Sequence, residues 1–301
     1  MQHDPQPAGF WKRNQMKIAP YVFFAPGALM FSIYVLIPIV QSIWISFQDW
    51  DGLGPKTWIG LANYVELLDD DTFYVALKNN LLWLGLYLLA IPMGLAAALF
   101  LNQNVWGIRL YKSMFFFPFV ISQVVVGLMF TWFYAPDFGL FSQMIKWLTG
   151  SEVAILADER YVTYGIIVAG LWPQTAYCMI LYLTGLNNLN SEQIEAARMD
   201  NARGWRLLRH VILPQLAPAT FIAMVVTVIG ALRSFDLVSI MTAGGPYGSS
   251  QVLSYFMYEQ ALSEYGYRMG YGAAIAVVLF LIMMVFITLF IVRMIAQERN
   301  R

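Results

Sequence analysis

Apolar positions in this chain run in long blocks. They do not alternate as in a half-buried strand, nor recur as the single stripe of a surface helix. Charge-free stretches are bracketed by Lys17 and Asp49, Lys78 and Arg109, Lys112 and Asp137, Arg160 and Glu192, and Arg268 and Arg293; another apolar stretch runs from Leu216 to Thr242. Crossing a bilayer takes about 20 apolar residues, so the pattern predicts an all-α polytopic membrane protein of six transmembrane helices. The expected division is an N-terminal segment at 1–17, a membrane domain at 18–295 and a tail at 296–301. The first apolar run is too long for the core of a secretory signal and ends without a small-x-small site, so it reads as an uncleaved first helix, bent by Pro20, Pro26 and Pro38.

The longest polar interruption that still reads as helix is SEQIEAARMDNARGWRLLRHVILPQLAP, Ser191 to Pro218. Asn190 or Ser191 can cap it, and Gln193 stands three residues after Asn190, as in a capping box. Helix formers continue to Met199. Asn201 then offers a turn, because Asn tolerates the left-handed backbone better than any residue but Gly. A second short helix over Ala202 to Val211 would put Trp205, Leu208 and Ile212 on one face and Arg203, Arg206 and Arg209 on others. From spacing alone this amphipathic helix–bend–helix also fits an interfacial loop whose arginines meet lipid phosphates.

Composition sharpens the class. The chain of 301 residues is 59% hydrophobic and 12% charged, against about 25% charged in soluble domains. A net charge of zero argues against a nucleic-acid partner. The single cysteine, Cys178, cannot form an internal disulfide, and His3 and His210 have no metal-ligand company. The phosphate-binding pattern Gly-x-x-x-x-Gly-Lys-Ser/Thr does not occur, so the chain is not expected to bind or hydrolyse ATP. With a cytoplasmic N-terminus, twelve Lys and Arg fall inside (Lys12, Arg13, Lys17, Arg109, Lys112, Arg198, Arg203, Arg206, Arg209, Arg293, Arg299, Arg301) and five outside (Lys56, Lys78, Lys146, Arg160, Arg268). The positive-inside rule therefore predicts an N-in, C-in topology with the loop at 187–215 in the cytoplasm. Of the outer loops, Asp49–Lys78 is acidic, with Asp69–Asp71 fitting a solvated loop and a capped helix start, and Ala135–Arg160 has room for a short surface helix.

Glu195-Ala196-Ala197, then Asp200, Ala202, Trp205 and Val211-x-Leu213-Pro214, resemble the EAA loop of ABC importer permeases, with Asn201 in place of the usual Gly and Val211 in place of Ile. A second segment, Ser234 to Gly248, resembles the F-D-x-x-x-x-x-T-x-G-G-P signature of the carbohydrate, maltose-type branch through Phe235, Asp236, Thr242, Gly244, Gly245 and Pro246. Gly270-Tyr271-Gly272-Ala273-Ala274 is similar to that branch's entry to the last helix, with Gly272 for Ala. The resemblance implies a permease subunit with no enzymatic chemistry of its own. Its coupling helix would dock in a cytoplasmic ATPase through Glu195, with Ala196, Ala197, Asp200, Asn201, Ala202 and Trp205 around it. The implied partners are a second homologous permease, two ATPase subunits that bind ATP and Mg, and an external solute-binding protein.

The segments flanking that loop supply the candidate solute path. Gly170, Gln174 and Tyr177 share a face by i, i+4, i+7 spacing, with Trp172 nearby, and lie roughly 20 Å below the outer end, near the midplane. Thr227, Ala231 and Ser234 stand on the fifth span, and Gln123 on the third. Trp and Tyr stack on sugar C–H faces, while amides and hydroxyls match sugar hydroxyls; the same residues also serve as helix–helix glue. Arg233 and Asp236, spaced i, i+3, either pair or place Arg233 toward an anionic sugar-derived solute. The rivals are a permease for another solute class, a secondary transporter with inverted repeats and an ion site, and a membrane-embedded enzyme.

Overall fold

The computed structural model describes residues 10–103, 105–263 and 267–299. Residues 1–9, His3 among them, and the last two residues of the expected tail lie outside these. Helix α1 (Phe10–Phe31) starts inside the segment expected as a polar N-terminus and continues through a π-type turn, Ser32–Leu36, into α2 (Ile37–Ile45). Pro38 falls in the first turn of α2, where its missing N–H costs little.

The first outer loop is more structured than an acidic solvated loop. Strands β1 (Gln48–Asp49) and β2 (Thr57–Trp58) pair antiparallel, a small departure from an all-α chain, and α3 (Ala62–Asp69) follows. The hairpin turn is organised by Asp51, whose Oδ1 accepts from the N–H groups of Gly54 at 2.6 Å and Leu53 at 2.9 Å. The bond from Gly54 and then that from Leu53 hold its carboxyl below the usual range. Asp70 caps the next helix as expected, its Oδ1 accepting from Thr72 N–H at 2.8 Å.

That helix, α4 (Asp71–Tyr87), and α5 (Ala90–Leu101) make one long span. Helices α6 (Ile108–Val120) and α7 (Gln123–Phe133) meet at 97°, because Ile121 and Ser122 are extended. Ser122 Oγ accepts from Val125 N–H at 3.4 Å and opens the new helix. The short surface helix is α8 (Leu140–Thr149). Next come α9 (Val162–Asn187) and α10 (Ser191–Met199), then α11 (Trp205–Leu207), a π-type turn at Leu208–Ile212, and α12 (Leu213–Gln215). A 72° bend leads into α13 (Ala217–Leu232). Helices α14 (Asp236–Met241), α15 (Leu253–Leu262) and α16 (Met269–Arg299) complete the chain.

Among the described residues, four helices are long and apolar enough to cross a membrane, or six if each bent pair is one span. Helix α9 is the hub. It packs against α4, α5, α6, α7, α13 and α14, and buries Val162, Ile166, Ile167, Met179 and Tyr182. Its approach to α5 is close, since a Cβ on Gly94 would lie 2.5 Å from Cys178 Cβ and 2.8 Å from Met179 N. Small residues at such crossings are how helices pack in lipid, where no hydrophobic force drives them together.

The fifth span departs from expectation. It is not one helix from Leu216 to Thr242 but α13 followed by α14, with Arg233 capping the first and Asp236 opening the second. The i, i+3 spacing of a continuous helix therefore does not apply between those residues. No ion pair joins them among the described residues.

Candidate functional site

The polar loop is built on its own backbone. Asn190 Oδ1 accepts from Gln193 N–H at 3.2 Å, capping α10. The reciprocal half of a capping box is replaced by a longer connection, for the Asn190 N–H goes to Gln215 Oε1 at 2.9 Å, 25 residues along the chain. One amide thus ties the entrance of the loop to its exit. Helix α10 ends where Asn201 takes φ 60°. Ala202 N–H reaches Ala197 O at 2.9 Å and Asn201 N–H reaches Arg198 O at 3.1 Å, the two bonds of a Schellman cap with Asn201 in the left-handed position. Asn therefore does the work of the Gly that the motif carries there.

The second helix of the loop starts at Trp205 and not at Ala202. Gly204 explains the delay, having φ 52° and ψ −125°, the first central position of a type II′ turn, closed by Arg206 N–H to Arg203 O at 3.2 Å. No described residue lies within 4 Å of a Cβ placed on it, so a side chain there meets strain without collision. Gly204→Ala should cost about 1–3 kcal/mol through backbone strain alone. Differential scanning calorimetry of the purified complex checks this; an unchanged melting midpoint would show that the turn relaxes freely. Around the bend Glu195, Ala196, Asp200 and Arg203 are exposed, Ala197 and Ala202 are partly exposed, and two large apolar side chains project outward, Met199 at 88% and Trp205 at 67% exposure.

The residues proposed for a solute path do not converge. Gln174 Nε2 donates to Thr227 Oγ1 at 2.8 Å, and Cys178 Sγ lies 3.6 Å from the same hydroxyl. Thr227 and Ala231 are fully buried, so this trio joins α9 to α13 as helix–helix glue. Gly170 is buried too, and a Cβ there would run into the Tyr87 hydroxyl. Tyr177 turns to α6, its ring 5.1 Å from Phe119. The shared face of Gly170, Gln174 and Tyr177 is therefore divided among three neighbouring elements. Trp172 borders a cavity of about 1130 Å³ with Met93, Phe115, Pro118 and Phe130, an apolar space. Gln123 Oε1, in the first turn of α7, is buried and has no hydrogen bond among the described residues. Ser234 Oγ bonds back to Ala231 O at 2.9 Å, while Arg233 and Asp236 are exposed at the helix break.

The T-x-G-G-P segment is held by two residues of α4 outside the expected site, Asn79 and Asn80. Asn79 Nδ2 donates to Ser249 O at 2.7 Å and Gln251 O at 2.8 Å. Asn80 Nδ2 donates to Leu232 O at 3.3 Å, and its Oδ1 accepts from Leu253 N–H at 2.8 Å. Both are buried on α4. Within the segment Thr242 Oγ1 and Ser250 Oγ lie 2.9 Å apart, and Ser250 Oγ donates to Gly245 O at 2.6 Å. The available signal was an adjacent Asn pair inside an apolar run, where polar groups demand partners.

Residues 90–301 match the model of the family described as binding-protein-dependent transport system inner membrane component. The probable ABC transporter permease protein YurN of Bacillus subtilis (strain 168) is 36% identical over 276 residues, covering 89% of this chain and 93% of its own. The arabinooligosaccharides transport system permease protein AraP of the same organism is 31% identical over 275 residues, covering 89% and 86%. A chain in the crystal structure of a bacterial alginate ABC transporter, in complex with an alginate pentasaccharide-bound periplasmic protein, shares the fold with a TM-score of 0.79, 22% identity and coverage of 93% and 95%. The bent spans and the capped, exposed loop are thus set in a sequence related over most of its length to such permeases, and the chain belongs to the family of binding-protein-dependent transport system inner membrane components.

Proposed function

We propose that this chain is one permease subunit of an ATP-driven importer that carries neutral sugars or sugar-like solutes inward across the bacterial cytoplasmic membrane. Each bent helix pair counts as one span, giving six, and the Lys and Arg distribution supports both termini in the cytoplasm. A second homologous permease completes the pathway. Two copies of a cytoplasmic ATPase bind ATP and Mg, and an external solute-binding protein delivers the solute. The carbohydrate class draws support from the F-D…T-x-G-G-P segment and from relatives named for arabinooligosaccharides and alpha-glucosides.

The observation that carries the reading is the loop of α10 to α12. Its outer surface, Glu195, Ala196, Met199 and Trp205, is exposed among the described residues, and its two ends are tied by Gln215 and Asn190. A push on α10 therefore reaches α9 and α13 together. ATP binding closes the ATPase pair, drives this loop and opens the path outward; hydrolysis resets it inward. The chain itself performs no covalent step.

The test is ATP hydrolysis in liposomes holding the full complex, with and without solute-loaded binding protein. Glu195→Ala should weaken the stimulated rate about tenfold or more, the equivalent of one charged hydrogen bond at the docking surface. A mutant that assembles, hydrolyses and transports like the wild type removes the coupling role from Glu195. Uptake with no ATPase present overturns the importer reading in favour of a secondary transporter.

A further inference from the structure

The loop between the first two spans carries an apolar surface that the described residues leave open. Helix α3 has three faces. Asn63 and Leu67, four residues apart, are buried, and Asn63 Nδ2 ties the helix to the carbonyls of Ser46 at 2.9 Å and Gln48 at 3.0 Å. Ala62, Glu66 and Asp69 form an exposed, mostly charged face, along which Glu66 accepts from Arg268. Leu61, Val65 and Leu68, spaced i, i+4 and i+7, form the third face, and all three are exposed among the described residues. A helix with one face on protein, one apolar and one charged suits the plane between bilayer and water.

The apolar face runs on toward the membrane. The Trp58 ring, on β2, lies 5.0 Å from Trp44 and stacks on Phe47 at 5.6 Å. Trp44, Trp58, Leu61, Val65 and Leu68 are each 56–63% exposed. Trp44 stands in the last turn of α2, where it ends an exposed stripe with Ile37 and Val40. The span that holds this stripe, Met16–Ile45, has no buried residue in its most apolar stretch. A neighbouring subunit covers one side of such a helix, and the rest meets lipid.

We propose that Trp44, Trp58, Leu61, Val65 and Leu68 form a membrane-interface platform, with α3 lying flat in the headgroup region of the outer leaflet and its apolar face about 5–10 Å deep. The outer leaflet follows from the topology proposed above; the contact itself does not depend on the solute carried. Tryptophan favours that depth, having an apolar ring and a polar N–H. A binding protein that comes and goes would leave the patch bare between visits, and contiguous bare apolar surface invites aggregation. A bilayer covers it throughout. The exposed charges nearby are mainly acidic, Asp49, Glu66 and Asp69 against Lys56. The attachment is therefore apolar, and the partner is the phospholipid interface whatever its headgroup charge. Bonds from Arg268 to Glu66, Tyr271 to Asp70 and Gly270 to Trp50 tie the platform to α16, so the platform sets the depth at which the first and last spans enter the bilayer.

Val65→Cys and Leu61→Cys report on the apolar face, and Ala62→Cys on the charged one. Each is made in a Cys178→Ser background, within a complex of both permeases, ATPase and binding protein otherwise free of cysteine. The thiol is labelled with bimane, and the complex is placed in phosphatidylcholine nanodiscs. One quencher is a lipid with a nitroxide near the headgroup end of its acyl chain; the other is iodide in the water. The lipid nitroxide should quench at positions 65 and 61 at least about twofold more than at 62, and iodide should show the reverse order. High salt and added phosphatidylglycerol should leave the lipid quenching unchanged. Quenching of positions 65 and 61 by iodide as strong as at 62 means that the face is solvated, and the platform is wrong. If neither quencher reaches them, the second permease covers the face and the proposal fails. Lipid quenching that vanishes when solute-loaded binding protein is added, or in high salt, overturns it as well.

Discussion

Gly270→Ala should unseat the start of α16 and give a large loss of stability. Gly270 N–H donates to Trp50 O at 3.1 Å, which brings α16 against the outer hairpin. A Cβ on Gly270 would overlap the Gln48 carbonyl oxygen. That carbonyl cannot retreat freely, because Asn63 Nδ2 holds it at 3.0 Å and the Ser46 carbonyl at 2.9 Å. The collision is thus backbone on backbone, and relief requires the helix to shift. The cost should be about 3 kcal/mol, the upper part of the range for overpacking. It would also strain neighbouring ties, the bonds from Arg268 Nη2 to Glu66 at 2.6 and 2.8 Å and from Tyr271 Oη to Asp70 at 2.9 Å. Thermal melting of the detergent-solubilised complex is the measurement, with Gly85→Ala as the control. No described residue lies within 4 Å of a Cβ at Gly85, so that change should be neutral or slightly stabilising. Equal midpoints for the two variants would refute the packing account.

Asn80→Leu should be comparably damaging for a different reason. Asn80 is fully buried and satisfies two backbone groups from separate elements, the C=O of Leu232 ending α13 and the N–H of Leu253 opening α15. Leucine fills the volume and supplies neither bond. Two orphaned backbone groups amount to about 2–4 kcal/mol. The segment between them carries Phe235, Asp236 and the T-x-G-G-P turn, so solute uptake should fall while hydrolysis by the assembled ATPase without binding protein persists. Asn80→Asp keeps the acceptor for Leu253 N–H and loses the donor to Leu232, and should fall between. Hydrogen exchange at Leu253 to Phe256 reads the local effect. If those amides stay as protected as in the wild type, Asn80 is not the anchor.

Some of the functional surface was legible from residue types alone. The Asn190 cap and the left-handed Asn201 are local matters, settled within four or five residues by side-chain reach and backbone sterics. The late start of the second loop helix is equally local: Gly204 followed by Trp205 marks a turn before a helix, which apolar periodicity alone does not register. The tie from Asn190 to Gln215 was not legible, because nothing in a sequence separation of 25 residues announces a hydrogen bond. The solute path was the least legible part. Spacing placed Gly170, Gln174 and Tyr177 on one side of α9, but a helix at the hub has neighbours all round, and that side meets α4, α6 and α13 at different heights. Gln174 was therefore free to find Thr227.

By itself, then, the sequence determined the solvent of this protein and the sites of its local punctuation. Long apolar blocks exclude a water-soluble fold, charges mark the ends of spans, and Asn, Gly and Pro set caps and turns through energies that act over a few residues. Tertiary structure alone decided which polar groups meet. It broke the fifth span at Arg233, paired Gln174 with Thr227, and buried Asn79 and Asn80 under a segment about 170 residues away. The physical reason is that burying a polar group is costly unless a partner is found. Where that partner lies depends on how the spans pack, and hydrophobic blocks specify that spans exist far more strongly than they specify which of their faces touch.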